Sequence, residues 1–429
     1  MNMQEAGSLE QVVIALCRPG FESDAFDELS DRVGGEVKEI KTLVNQGYLR
    51  ASPVARGKLA FSLSEKLLER KNPSASQLLV RTDRGAAAPL QMPAEGFVFV
   101  WDLLLGYLVH FPRDSKDRVS AILQVLERRR SFQNLGGAKS VASGPTDAHE
   151  SREVHAQDGF GSRVDKPAPP LVRVCCAEAS PVAGLVKFTK KLEVALVHAL
   201  ARSGATLLTA AEELVVFFES YESAVVVVRP IRVSNRLARR GRVARSLQAP
   251  SRSGSKLAEA FRFFDLPSAA GGKAAAAQRW AVDLGAAPGG WTKVLLENGY
   301  RVLAIDNGPL DASLKPYFAA GRLVHLARDA FHFVPEFPVG IVTCDVVDQP
   351  TKVTELMKKW GLKGYSNELV FNLKLPMKKR YHSVKSCLGE LAQALFSKGF
   401  AVSLDAHQLY HDRQEVTVRL SIDRVKETI

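Results

Sequence analysis

Apolar residues along the chain recur in two rhythms, alternating for short runs and then returning every three or four positions. From Gln11, VVIALC reads as a strand, FESDAFDELSDRVG as a helix, and EVKEI and GYLRAS as further strands. KLAFSLS, a helical LSEKLLERKN, and strands around QLLVRT and GFVFVWDLLL continue the pattern. Helix DSKDRVSAILQVLERRR then leads into a composition break. From Asn134 to about Pro170 the chain is rich in Gly, Ser, Ala, Asp and Pro and loses its period, which predicts a flexible insertion. LVRVCCAEA resumes as a strand, LVKFTKKLEVALVHALARSG as an amphipathic helix, and ELVVFFES and SAVVVVRPI as neighbouring strands.

From Trp280 the alternation becomes regular. WAVDLG, RVLAID, LVHLARD, VGIVTCDVV and ELVFNLKLP predict strands. GGWTKVLLENG, SLKPYFAAG, TKVTELMKKWG and SVKSCLGELAQALFSKG predict the helices between and after them. Short connections of this kind predict a largely parallel sheet with helices on both faces. AVSLDAHQLY and EVTVRLSI close the chain as an antiparallel pair expected at one edge.

Composition narrows the setting. With 429 residues, 46% hydrophobic and 24% charged, the chain should form two or three globular domains. Its net charge of +12 favours a polyanionic partner, nucleic acid before membrane, and no apolar run approaches the roughly 18 residues of a spanning helix. The first residues lack a signal-peptide pattern, and the five cysteines form no CxxC pair and no His-spaced zinc pattern. A reduced, cytoplasmic protein without a structural metal is expected. Between Arg229 and Lys256 there are nine Arg/Lys residues and no Asp or Glu, so Arg239 and Arg240 are candidates for phosphate contact.

The candidate chemistry lies in the second half. In VFNLKLPMKKRY, alternation puts Val370, Asn372 and Lys374 on one face of a strand bound for the sheet interior. An ammonium there needs a partner or must lose its proton. AVDLGAAPGGWT is a strand, a Gly-rich turn and a helix start, with Gly285, Ala287, Pro288, Gly289 and Gly290 letting a ligand approach the backbone. The turn is not GxGxxG, and Pro288 removes an amide donor that a pyrophosphate could use. Asp283, Asp306, Asp329 and Asp345 close successive strands along one edge and suit a cationic nucleoside, so S-adenosylmethionine (SAM) is favoured over a dinucleotide. Lys256, Asp345, Lys374 and Glu415 complete a Lys–Asp–Lys–Glu set. A neutral lysine in it can take the proton of a weak hydroxyl nucleophile.

These pieces resemble the FtsJ-like RNA ribose 2′-O-methyltransferases, and among them the RlmM type. The matching stretches are CRPGFE, APSRS with the following KL, DLGA and PGGWT on either side of Ala287, DNGP, CD, FNLKLPMKKRY, and QLYHDR and EVTV on either side of Gln414. The resemblance implies an α/β fold: a Rossmann-like class I SAM-dependent methyltransferase domain over 245–429. A ferredoxin-like α+β domain over 1–100 and a THUMP-like RNA-binding domain over 101–240 would precede it, the latter carrying the 134–170 insertion. It implies Lys374 as proton acceptor with Lys256, Asp345 and Glu415, and Ser253, the 287–290 turn, Asp306, Asp329 and Asp345 as SAM contacts. It further implies methylation of a cytidine in large-subunit ribosomal RNA, as naked RNA or precursor particle, by a monomer away from membranes. Lys378, Lys379 and Arg380, next to Lys374, are expected to meet phosphate. The rival classes are a non-catalytic ribosome-assembly factor with a SAM-binding fold, methylation of a base or another nucleotide, and a dehydrogenase. Cytosine C5 transfer is disfavoured because Cys344 lacks a Pro-Cys context.

Overall fold

The computed structural model describes residues 11–33, 40–43, 48–51, 98–137, 171–177, 180–202, 207–209, 211–231, 250–269 and 279–424. KLAFSLS, LSEKLLERKN, QLLVRT, residues 138–170 and residues 232–249, with Arg239 and Arg240, lie outside them. The chain divides into two compact units, residues 1–12 with 104–234, and residues 13–103 with 235–429.

The first unit is built on β4 (Val100–His110), α2 (Arg118–Gly137), β5 (Leu171–Cys176), α3 (Leu185–Arg202), β6 (Glu212–Ser220) and β7 (Ser223–Pro230). Strand β7 pairs antiparallel with β4 and β6, and β5 runs parallel to β6. The parallel pair requires the α3 crossover, and α3 buries Leu185, Leu192, Leu196 and Leu200 against Val174, Leu214, Val216 and Phe218. Helix α2 runs on to Gly137, so Asn134–Gly137 extend it and do not begin the expected insertion.

In the second unit the regular alternation forms a seven-stranded sheet. Its strands are β8 (Trp280–Leu284), β9 (Arg301–Ile305), β10 (Leu323–Leu326), β11 (Ile341–Cys344), β12 (Glu368–Lys374), β13 (Phe400–His407) and β14 (Glu415–Arg424). The order is β10-β9-β8-β11-β12-β14-β13. The first five are parallel, and β14 runs antiparallel to both β12 and β13. The last pair is the antiparallel addition expected at one edge, with β14 next to β12 and β13 outermost. Five helices flank the strands: α4 (Gly254–Phe264), α5 (Gly290–Glu297), α6 (Lys315–Ala319), α7 (Pro350–Lys363) and α8 (Arg380–Phe396). Strand order reverses between β8 and β11, which opens a crevice at the carboxyl ends of these two strands.

The N-terminal strand β1 (Gln11–Cys17), helix α1 (Glu22–Val33) and hairpin β2 (Ile40–Leu43) and β3 (Tyr48–Ala51) belong largely to this same unit. Phe21, just before α1, and Ala25 and Leu29 of α1 share a buried core with Tyr381, Val384 and Leu388 of α8.

Candidate active site

Three strand ends and one helix start converge. Asp345 directly follows β11, Lys374 ends β12, Glu415 begins β14, and Lys256 lies in the first turn of α4. The antiparallel register sets Lys374 opposite Glu415, and the parallel register sets Cys344 beside Phe371. Lys374 Nζ donates to Asp345 Oδ1 at 2.8 Å and also to Glu415 Oε2. Lys256 Nζ pairs with the other oxygens, Asp345 Oδ2 at 3.5 Å and Glu415 Oε1. Two cations and two anions alternate around a square of zero formal charge. Burial pushes the Lys374 ammonium down, but Asp345 and Glu415 together hold it above its ordinary value.

The Gly-rich turn sits at the end of β8. Gly285 has φ of +75°, and a Cβ there would lie 2.7 Å from Val346 Cγ2. Gly289 has φ of +110° and caps α5, with no room for a side chain against Leu314. The Ala287–Pro288 peptide between them is cis. At Gly290 a Cβ would strike Ser251 and Ser253, whose hydroxyls lie 2.6 Å apart. The Trp291 indole donates to the Ser253 carbonyl at 3.0 Å, tying the start of α4 to the start of α5. Asp306, at the end of β9, accepts from the amides of Ala287 at 3.0 Å and Gly308 at 2.7 Å. Asp329, exposed after β10, accepts from the Phe331 amide at 2.8 Å and lies 2.9 Å from His332 Nδ1. The Phe331 bond leads in holding its carboxyl below the usual range. A cradle of small residues bordered by three ionisable acids fits a cationic nucleoside such as SAM.

Comparison with known proteins agrees with this geometry. Residues 249–377 match the family of FtsJ-like methyltransferases. The ribosomal RNA large subunit methyltransferase M of Shigella sonnei is 31% identical over 422 residues, covering 95% of each chain. That of Chromohalobacter salexigens is 31% identical over 411 residues, covering 95% of this chain and 96% of its own. The chain belongs to the ribosomal RNA large subunit methyltransferase M family. The Pseudoalteromonas translucida member is 46% identical over 182 residues, and there the chain spans about half of the relative's length, 49%. The FtsJ-like methyltransferase family is SAM-dependent, so SAM is the cofactor.

The sequence reading needs two corrections. Asp283 does not join the acidic edge. It is fully buried, accepting from Thr292 Oγ1 at 2.6 Å and Thr343 Oγ1 at 2.9 Å, and burial pushes its carboxyl up to about 7. It pins α5 to β8 and β11. Arg380 does not stand with Lys378 and Lys379 on the surface. Its Nη1 donates to the Gly20 carbonyl at 3.0 Å and to Asp24 Oδ2 at 3.1 Å, and its guanidinium lies 4.3 Å from the Phe21 ring centre. Lys378 and Lys379 are exposed beside Met377. Cys344 is buried, and burial pushes its thiol up to about 12, which leaves no thiolate for attack on a base.

Sequence reasoning missed the polar residues behind the square. Asn372 donates to Asp345 Oδ1 at 3.0 Å and accepts from Thr417 Oγ1 at 2.9 Å. The available signal was alternation, which had already put Asn372 on the Lys374 face. Glu259 of α4 was also missed. Its buried carboxylate accepts from the amides of Tyr410 and His411, both at 2.9 Å, and so holds the loop that delivers Glu415.

Proposed function

We propose that this chain methylates the ribose 2′-hydroxyl of a cytidine in large-subunit (23S) ribosomal RNA, with Lys374 as the general base. The observation that carries this reading is the Lys374–Asp345–Lys256–Glu415 square at the strand ends beside the Gly-rich turn. Ser253, Gly285, the 287–290 turn, Asp306, Asp329 and Asp345 would hold SAM, which supplies an electrophilic methyl group when bound. Lys374 takes the proton from the attacking 2′-oxygen onto Nζ. Asp345 and Glu415 stabilise the ammonium as it forms, so Lys374 is a strong base that is scarce in its neutral form near pH 7. Lys256 divides both carboxylates with Lys374 and limits their hold on the proton. Transfer should accordingly keep accelerating into alkaline solution.

Lys378 and Lys379 would position RNA through phosphate contacts, with Arg239 and Arg240 as further candidates. The first unit is read as the THUMP-like RNA-binding part, supported by the exposed Lys187, Lys190 and Lys191 on α3. Domain boundaries at 1–100, 101–240 and 245–429 and a cytoplasmic monomer complete the reading.

Lys374→Ala should keep SAM affinity while methyl transfer falls by roughly 10²–10⁴-fold. Near-normal turnover by that variant would remove Lys374 from the chemistry. Mass-spectrometric mapping of ribose methylation in cells with and without the protein identifies the nucleotide.

A further inference from the structure

Behind the square lies a second polar chain that the base assignment does not use. Asn372 and Thr417 are cross-strand partners on β12 and β14, one step deeper on the face that carries Lys374 and Glu415. Both are fully buried, as is Asp412 in the loop before β14. Asn372 Nδ2 donates at 3.0 Å to Asp345 Oδ1, the oxygen that also takes Lys374 Nζ at 2.8 Å. Thr417 Oγ1 lies 2.9 Å from Asn372 Oδ1, and 3.1 Å and 2.9 Å from Asp412 Oδ1 and Oδ2.

Proton counting decides the direction of this chain. A threonine hydroxyl has one proton to give. Given to Asp412, it leaves Asn372 Oδ1 a buried acceptor with no donor. Given to Asn372, it leaves the Thr417 oxygen facing Asp412 across a distance that needs a proton between them. Asp412 Oδ2 already accepts from the amides of Leu409 at 2.9 Å and Thr417 at 3.2 Å. Its Oδ1 touches only Thr417 Oγ1 among the described residues, so the proton belongs there.

We propose that Asp412, Thr417 and Asn372 form a one-way hydrogen-bond relay that positions Asp345 beside Lys374, with Asp412 protonated as the terminal donor. Burial, with the Glu415 charge nearby, pushes the Asp412 carboxyl well above the usual range, in keeping with that state. The relay fixes the Asn372 amide so that only its N–H faces Asp345. That N–H shares the negative charge of Oδ1, which weakens its grip on the Lys374 ammonium. The charged groups around Lys374 are Asp345 after β11, Glu415 on β14 and Lys256 on α4, with the titratable Asp283 on β8 and Asp412 behind them. Without the relay, Asp345 Oδ1 is left to Lys374 alone, and the lysine holds its proton to higher pH.

This inference rests on Lys374 being the base, so Lys374→Ala is measured alongside. The experiment is single-turnover methyl transfer to unmodified large-subunit RNA across pH, with SAM affinity measured calorimetrically. Thr417→Val should slow transfer about tenfold, move the rising limb of the pH–rate profile to higher pH, and leave SAM affinity in place. Thr417→Ser should recover the rate. Asp412→Leu should mimic Thr417→Val, and Asp412→Asn should recover most of that loss, because an amide N–H donates as the acid O–H does. Wild-type rate and profile in Thr417→Val, or Asp412→Asn as slow as Asp412→Leu, would overturn the relay. If the valine and leucine variants do not fold, Asp412→Asn decides, since a displaced limb in that variant refutes a neutral donor. Normal transfer by Lys374→Ala would instead overturn the base assignment, whereas an inactive Lys374→Ala with an unimpaired Thr417→Val refutes the relay alone.

Discussion

Lys374 and Asp283 are both charged side chains in the sheet, and their surroundings treat them in opposite ways. Lys374 meets two carboxylates and keeps its charge. Asp283 meets uncharged donors, the hydroxyls of Thr292 and Thr343 among them, and desolvation raises its carboxyl to about 7. In the unfolded chain the same group titrates at about 3.9. Between these two values the folded protein holds a proton that the unfolded chain has released. Folding stability from Asp283 is therefore complete below about pH 4 and falls as pH rises toward 7, by roughly 1.4 kcal/mol per unit. Asp283→Asn carries no titrating proton, and either threonine hydroxyl can turn to accept from its amide. Urea midpoints measured from pH 4 to 8 should decline more steeply for the wild type than for the variant. Parallel curves would show that Asp283 does not titrate in this range.

At the level of elements, the β/α alternation from Trp280 was legible because central parallel strands are continuous apolar runs and the turns carry Gly or Pro. The convergence of Lys374, Asp345 and Glu415 was legible because all three sit at strand ends. The relay was not, because it depends on the pairing of β12 with β14, which brings Thr417 opposite Asn372 across 45 residues of chain. The fate of Arg380 was hidden for the same reason. Nothing local distinguishes it from Lys379, yet α1 brings Asp24 and Phe21 to it from more than 350 positions away. The same docking carries Tyr381 Oη to Asp31 at 2.7 Å and Arg18 Nη2 to the Tyr410 carbonyl at 2.7 Å. The CRPGFE segment thus braces the loop that precedes Glu415. Arg380→Ala strands the buried Asp24 with a single amide donor, from Tyr381 at 3.2 Å. It should destabilise the protein by roughly 2–3 kcal/mol in urea titrations and leave the salt dependence of RNA binding alone. A changed salt slope with unaltered stability would return Arg380 to the phosphate-binding set.

For the molecule as a whole, a net charge of +12 says that the proposed RNA binding will depend on salt, but not which surface is responsible. Helix α3 offers a test. Its Leu185, Leu192, Leu196 and Leu200 stripe is buried, and Lys187, Lys190, Lys191 and Val194 fall at three- and four-residue spacing on its exposed side. This face carries Lys187, Lys190 and Lys191 interleaved with exposed Val186 and Val194. The first unit has its own core, so replacing the three lysines with glutamine leaves the packing of the catalytic square untouched. The effect should then appear in RNA binding and in KM, with kcat at saturating RNA preserved. Each phosphate that the protein no longer neutralises flattens the plot of log affinity against log salt by about 0.7–0.9. The triple variant should therefore drop by about two to three units of slope if all three lysines reach phosphate. Full affinity and an unchanged slope would make α3 an ordinary solvated helix and leave RNA capture to the second unit.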